Sequence, residues 1–186
     1  IDVGHGRCGC APRDAAALAR QVIDGGLRFA GLQAYHGRAQ HLRSVAERRA
    51  AIEAATQAVR SAQAALAAAG IACPLVSGAG SGSFVLEAES GVWGELQCGS
   101  YVFMDRDYAD NDALPGAPRF EHALFVKSRV MSRAADHAVI DAGHKSHAID
   151  SGLPRVVTVE GRRRDDLQFV NGGDEHGILR ADVAGM

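Results

Sequence analysis

Apolar runs, polar turns and Ala-rich stretches follow one another three times in the first half of the chain. Ile1-Asp2-Val3 is a short apolar run that ends in the polar turn 4–9. An Ala/Leu-rich stretch over about 13–23 comes next and is closed by Gly25-Gly26. Residues 27–34 then read as a strand ending in Tyr35-His36-Gly37-Arg38-Ala39-Gln40-His41. A long helix follows. Ser44 and Glu47 have the spacing of a capping box, the Ala-rich run 45–69 carries the helix, and Gly70 stops it. A third strand over 71–76 leads into Ser77-Gly78-Ala79-Gly80-Ser81-Gly82-Ser83. Strand, polar loop and helix in repetition predict an α/β fold, either a parallel sheet or a β/α barrel. In a barrel the loops after the strands share one face. Arg7, Tyr35, His36, His41 and the Gly/Ser loop are therefore expected to point toward one another.

The Gly/Ser loop is the sharpest chemical signal. No side chain in 77–83 is large enough to build a core, so packing is not the expected reason for the segment. Alternating glycines let a backbone approach a ligand closely and aim successive N–H groups into one concavity. The hydroxyls of Ser77, Ser81 and Ser83 can add donors. That chemistry suits a bound phosphate. A flexible Gly/Ser connection is the competing reading, and the run lacks both the Gly-Lys-Ser/Thr ending and the Gly-x-Gly-x-x-Gly pattern. Its place as the third strand-end loop favours the phosphate.

After Tyr108 the pattern changes. Pro115 and Pro118 mark a break, and short strand-like runs follow at 123–130, 138–141, 156–159, 168–170 and 177–179. This predicts a division into 1–114, part of a TIM-type β/α barrel, and 115–186, part of a C-terminal β-rich domain. Three strand–helix units cannot close a barrel and would expose apolar edges, so the 186 residues are expected to be an internal piece of a larger protein.

Composition narrows the class. Twenty Lys plus Arg against 22 Asp plus Glu give a formal net charge of −2, which argues against nucleic acid or an acidic membrane as partner. No stretch approaches a transmembrane span. Arg162-Arg163-Arg164 is followed at once by Asp165-Asp166 and reads as a solvated hairpin tip. Cys8, Cys10, Cys73 and Cys98 show no framework spacing, so they are expected to be reduced and a cytoplasmic location is expected.

The longer motifs carry a resemblance. Asp2-Val3-Gly4-His5-Gly6-Arg7-Cys8-Gly9, Gly31-Leu32-Gln33-Ala34-Tyr35-His36-Gly37 and the Gly/Ser loop are similar to segments of the D-threonine aldolase family. So are Glu95-Leu96-Gln97-Cys98-Gly99-Ser100-Tyr101-Val102-Phe103-Met104-Asp105, Asp141-Ala142-Gly143-His144-Lys145-Ser146 and Asp174-Glu175-His176-Gly177. The motifs stand in the family's order over nearly the whole chain. D-serine dehydratase and D-3-hydroxyaspartate aldolase are its relatives, all alanine-racemase-like pyridoxal 5'-phosphate enzymes.

The resemblance implies a lyase that cleaves D-3-hydroxy-amino acids to glycine and an aldehyde, with D-amino acids as its small-molecule substrates. It implies pyridoxal 5'-phosphate and a divalent metal (manganese or magnesium, with zinc as an alternative), and a homodimer is expected of the full-length protein. Ser77, Gly78, Gly80, Ser81 and Gly82 match the loop that binds the cofactor phosphate; the family has glycine at Ala79 and threonine at Ser81. Gly99, Ser100 and Tyr101 match a second cofactor-side segment. Arg7 matches an arginine beside the cofactor ring, Tyr35 a tyrosine facing it, and His41 the candidate base on the substrate hydroxyl. The Schiff-base lysine of the family lies before Ile1; Lys127 and Lys145 do not match it. No metal ligand is assigned within the chain, because the family's metal pair lies beyond Met186. His144-Lys145-Ser146-His147 is read as surface. A D-serine dehydratase or D-3-hydroxyaspartate aldolase of the same family is the alternative. Other classes remain in play: a non-catalytic pyridoxal phosphate carrier, or a nucleotide-binding α/β protein.

Overall fold

The computed structural model describes residues 1–181. It divides into two compact units, Ile1–Glu121 and a second that begins at His122.

The first unit contains helices α1 (Ala15–Asp24), α2 (Val45–Ala68), α3 (Phe84–Ser90) and α4 (Arg106–Ala109), with strands β1 (Leu32–Ala34), β2 (Val76–Gly78) and β3 (Glu95–Leu96). The three strands form a parallel sheet in the order β1-β2-β3, with Leu32 beside Val76, Ala34 beside Gly78, and Gly78 beside Leu96. α2 starts where the sequence places it. Ser44 Oγ accepts the Glu47 N–H while the Glu47 carboxylate accepts the Ser44 N–H. Beyond its last turn Gly70 adopts φ +69°, a conformation that glycine enters without strain. Ile52, Ala55, Val59, Ala62 and Leu66 recur at helical spacing and form its buried stripe. Ala55, Val59, Ala62 and Leu66 meet Leu32, Ala34, Val76 and Trp93 in one core with Ala15 and Ala19 of α1, while Ile52 packs with Ala39 and Leu86 in a second cluster. Alternation along β1 buries Leu32 and Ala34 and leaves Gln33 on the opposite, polar face.

Three expectations change here. Residues 1–3 form no strand; the Ile1 amino group bonds the Gln33 carbonyl at 2.9 Å, and the Asp2 carboxylate accepts the N–H groups of Gly4 and Gly6. Pairing in the second and third strands is confined to three residues each, and β2 is shifted toward the carboxyl end, so that Ser77 and Gly78 are strand rather than loop. α3 occupies 84–90, where the sequence pattern predicts no helix.

The second unit is an antiparallel sheet of β4 (Val130–Arg133), β5 (His137–Ile140), β6 (Leu167–Asn171) and β7 (Gly177–Ala181) in the order β4-β5-β7-β6. Ile140, Ala142 and Phe169 are its buried centre. The run 123–130 is not a strand before Val130, and Leu124, Phe125 and Val126 are exposed. At 156–159 pairing is reduced to a single bridge, Val157 to Arg163. Arg163 and Arg164 pair with Asp165 and Asp166 in solvent, as the hairpin-tip reading expects. Among the described residues no helix is long and apolar enough to cross a membrane.

Candidate active site

Parallel strands send their following loops to one edge of the sheet. Tyr35 follows β1, Gly80 and Ser81 follow β2, and Gln97, Gly99 and Ser100 follow β3. With Arg7, Gln33 and Tyr108 these residues line one cavity of about 340 Å³. Arg7, Tyr35, Gly80, Ser81, Gly99 and Ser100 of the sequence-derived set are thus brought together.

The donor set of this cavity suits an anion. Among the described residues, none accepts a hydrogen bond from the N–H of Gly80, Ser81, Gly99 or Ser100, and Arg7 lines the same cavity. Unpaired backbone donors beside a fixed cation form a phosphate cradle. At Gly99 a Cβ would meet nothing within 4 Å, so that wall is open. Ser81 Oγ is turned to accept the Tyr101 N–H at 2.9 Å, which ties the β2 loop to the β3 loop. Burial, with the Tyr108 hydroxyl nearby, pushes the Tyr35 phenol above its ordinary value against an opposing pull from Arg7. Tyr35 is therefore a neutral donor at physiological pH.

Packing explains much of the Gly/Ser run, contrary to the expectation from side-chain size. A Cβ on Gly78 would stand 2.4 Å from the Ala34 carbonyl oxygen and 2.7 Å from Trp93 Nε1. One on Gly80 would stand 2.5 Å from Gln40 Oε1, and one on Gly82 2.5 Å from the Gln40 carbonyl oxygen. Gln40 is fully buried. Its amide accepts the Gly82 N–H at 2.9 Å and donates to Ser83 Oγ at 2.6 Å and to the His36 carbonyl at 3.2 Å. Small residues are needed there because this side chain fills the space behind the loop. Ala79 sits fully buried at φ +68°, a left-handed conformation that costs alanine roughly 1–2 kcal/mol and that a glycine would adopt freely.

The remaining expected residues stand outside the cavity wall. Ser77 is buried and donates its hydroxyl proton to Glu95. Gly78 and Gly82 are the packing positions just described. The Tyr101 ring rests on Phe120 at 5.1 Å. His36 is buried, with its Nδ1 accepting the Ala39 N–H, and burial pulls it below its ordinary value. His41 lies beside the cavity rather than in its wall. Its ring is 5.4 Å from that of the wall residue Tyr108, and its Nδ1 is 2.5 Å from Asp107 Oδ2. Arg43 binds the other Asp107 oxygen, the Asp107 carbonyl and Asn111 Oδ1. Burial pushes the Asp107 carboxyl up, but the hydrogen bonds from Arg43 and His41 outweigh it and hold Asp107 below its ordinary value.

Five residues of this region carried no sequence motif of their own chemistry: Gln33, Gln97, Gln40, Asp107 and Tyr108. Gln33 and Gln97 exchange two amide hydrogen bonds of 2.8 and 2.9 Å at the cavity. Alternation in β1, a polar residue between two apolar ones, was the available signal for Gln33. Behind the loop, Glu87 of α3 is 1% exposed and accepts the Ser83 hydroxyl at 2.8 Å through Oε1, while Oε2 has no partner. Burial pushes its carboxyl up to about 7.

In the second unit the two family-like motifs meet. Asp174 binds His144 at 3.1 Å and Lys145 at 2.7 Å, and Lys145 also reaches Glu175 at 3.2 Å. These groups are exposed, but His147 is half-buried against Phe169, with both ring nitrogens out of solvent. The surface reading therefore holds for His144 and Lys145 and not for His147.

Comparison with known proteins places this geometry. Residues 1–107 match the family model described as "Alanine racemase, N-terminal domain", and residues 123–185 match "Putative serine dehydratase domain". The chain is 44% identical to the D-threonine aldolase of an Arthrobacter species over 98% of its length, and 42% identical to the 3-hydroxy-D-aspartate aldolase of Paracoccus denitrificans (strain Pd 1222) over 96%. It spans about half, 47%, of each of those relatives. The crystal structure of D-threonine aldolase from Filomicrobium marinum superimposes with a TM-score of 0.88 at 46% identity, over 98% of this chain and 48% of that one. The fold is accordingly α/β, part of a β/α barrel followed by part of a β-rich domain. With its first 107 residues matching that model, more than half of its length, the chain belongs to the alanine racemase N-terminal domain family.

Proposed function

We propose that this chain forms the cofactor-phosphate and base side of a pyridoxal 5'-phosphate-dependent aldehyde-lyase. Its substrate class is D-3-hydroxy-amino acids, cleaved to glycine and an aldehyde. The observation that carries the reading is the convergence of three strand-end loops on a cavity lined by unpaired N–H groups, Arg7 and Tyr35, with His41 at its rim. The family supports it, as do similar proteins named as aldolases of D-threonine and 3-hydroxy-D-aspartate.

In this reading the N–H groups of Gly80, Ser81, Gly99 and Ser100 hold the phosphate, and Arg7 holds an anionic oxygen of the same group. Tyr35 packs against the ring. Gly78 and Gly82 act by packing, Ser77 acts by its hydrogen bond to Glu95, and Tyr101 acts by holding Ser81. When bound, pyridoxal phosphate supplies the electron sink for breaking the Cα–Cβ bond. His41 accepts the proton of the substrate hydroxyl, a task suited to an imidazole near neutral pH. The divalent metal and the lysine that the reaction requires belong to residues outside this chain. We divide the chain at 114/115 between the two domains, place the protein in the cytoplasm on its four free cysteines, and take the full-length enzyme as a homodimer.

A second reading is loss of the same hydroxyl as water, giving a keto acid and ammonia. The dehydratase-domain match over 123–185 favours it. The test is product analysis of the full-length protein with pyridoxal phosphate and manganese, on D-threonine and on 3-hydroxy-D-aspartate. Glycine and aldehyde are the expected products; keto acid and ammonia would install the second reading, and turnover of neither substrate would overturn both.

A further inference from the structure

α4 presents two adjacent side chains to one imidazole. The Tyr108 ring is tilted at 51° to the His41 ring, with centroids 5.4 Å apart, and Asp107 meets the imidazole at Nδ1. Asp107 is itself held. Arg43 grips its second carboxylate oxygen and its carbonyl, and also Asn111 Oδ1, while Asn111 donates to the Gln40 carbonyl at 2.8 Å. Gln40 in turn packs behind the glycine loop. The Asp107 side chain is only 13% exposed, whereas that of His41 is 48% exposed. The carboxylate is therefore held inside the protein, while nearly half of the His41 side chain meets solvent.

An imidazole has two nitrogens, and the hydrogen bond made by one decides the state of the other. A carboxylate can only accept at Nδ1. Nδ1 must then carry the proton, and Nε2 of the neutral ring must carry a lone pair. We propose that Asp107 is the positioning residue for His41: it fixes the Nδ1–H tautomer and the ring orientation, so that Nε2 is the atom that accepts the substrate's hydroxyl proton. The inference rests on the reading of His41 as the base. The proton leaves the hydroxyl oxygen and resides on Nε2, the Asp107 carboxylate faces the resulting imidazolium, and the half-exposed ring returns the proton to solvent. Arg43 and Asn111 keep the carboxylate from rotating away, and through Gln40 they set the base in register with the phosphate loop.

The experiment uses the full-length holoenzyme and three measurements. Nitrogen NMR of the wild type at a pH where His41 is neutral should show its proton on Nδ1. Asp107→Asn should lose that preference, because an amide can donate to Nδ1 as well as accept. In the same variant kcat should fall by roughly 10²- to 10⁴-fold, the range of general-base catalysis, while KM and the cofactor absorbance stay within about twofold, a separation that a general loss of structure would not give. His41→Ala is assayed in parallel. If His41→Ala keeps wild-type kcat, the base reading fails and this inference falls with it. If His41→Ala is inactive but Asp107→Asn keeps wild-type kcat, the inference alone is overturned. A proton on Nε2 in the wild type overturns it whether or not the variant folds.

Discussion

Replacing Glu87 by glutamine should make the protein more stable, and by an amount that depends on pH. The carboxyl is 1% exposed, one oxygen accepts from Ser83, and the other has no partner. Burial raises it from its ordinary 4.5 to about 7. The unfolded chain releases this proton as pH rises through 4.5, while the folded chain keeps it until about 7. Stability linked to the group is therefore fully present below pH 4.5, declines through the interval, and is lost above about 7. At 1.36 kcal/mol per pH unit the whole loss is on the order of 3 kcal/mol. Glutamine keeps the shape and an acceptor for Ser83 but has nothing to ionise. The difference in unfolding free energy between Glu87→Gln and wild type should grow by about 2–3 kcal/mol in favour of the variant between pH 5 and pH 8. Urea unfolding of both full-length proteins at the two pH values measures it, and other titrating groups cancel in the difference. A difference that stays within about 0.5 kcal/mol across that range, or that shrinks, would refute the reasoning, since extrapolation errors are largely shared.

Two further outcomes follow from the loop. Gly80→Ala should destabilise the full-length protein by about 1–3 kcal/mol through overpacking on Gln40, and pairing it with Gln40→Ala should cost less than the two single changes summed. Additive effects in that double-mutant cycle would mean that the glycine is not needed for packing. Arg7→Gln should raise the dissociation constant for pyridoxal phosphate roughly 10- to 100-fold, since hydrogen bonds to charged groups contribute about 1.5–3 kcal/mol. Titration of the cofactor absorbance reads this directly, and an unchanged constant removes Arg7 from the anion site.

Local rules were sufficient where the deciding atoms are neighbours in sequence. The Ser44–Glu47 box and Gly70 bound α2, and alternation in β1 turned Gln33 away from the core. They were insufficient where the deciding atom lies far along the chain. Gly80 and Gly82 must also be small for packing, because Gln40, some forty residues earlier, fills the space behind them. Gly78 is small because the Ala34 carbonyl and Trp93 close on it. Glu87 stands between Leu86 and Ala88 in an unremarkable helix, and only tertiary burial sets its proton affinity. The strand-like run 123–130 becomes strand only at Val130, where the chain meets Ile140 of β5 to pair with; β propensity depends on such tertiary context. The motif order led to Arg7, Tyr35 and His41, but no motif pointed to the carboxylate beside His41.

The paired amides of Gln33 and Gln97 have a mechanical consequence. β1 and β3 are not neighbours; β2 runs between them. On a flat sheet, strands two places apart are separated by nearly 10 Å, and side chains on one face stand upright and roughly parallel. Two glutamine side chains are long enough to close that gap by leaning toward each other over the middle strand. The pair therefore acts as a strap over β2 that ties β1 to the loop after β3. Each amide offers one donor and one acceptor to the other, so the strap closes equally well with both groups rotated. The two outer strands of the sheet are in this way joined by side chains as well as through the backbone of the strand between them.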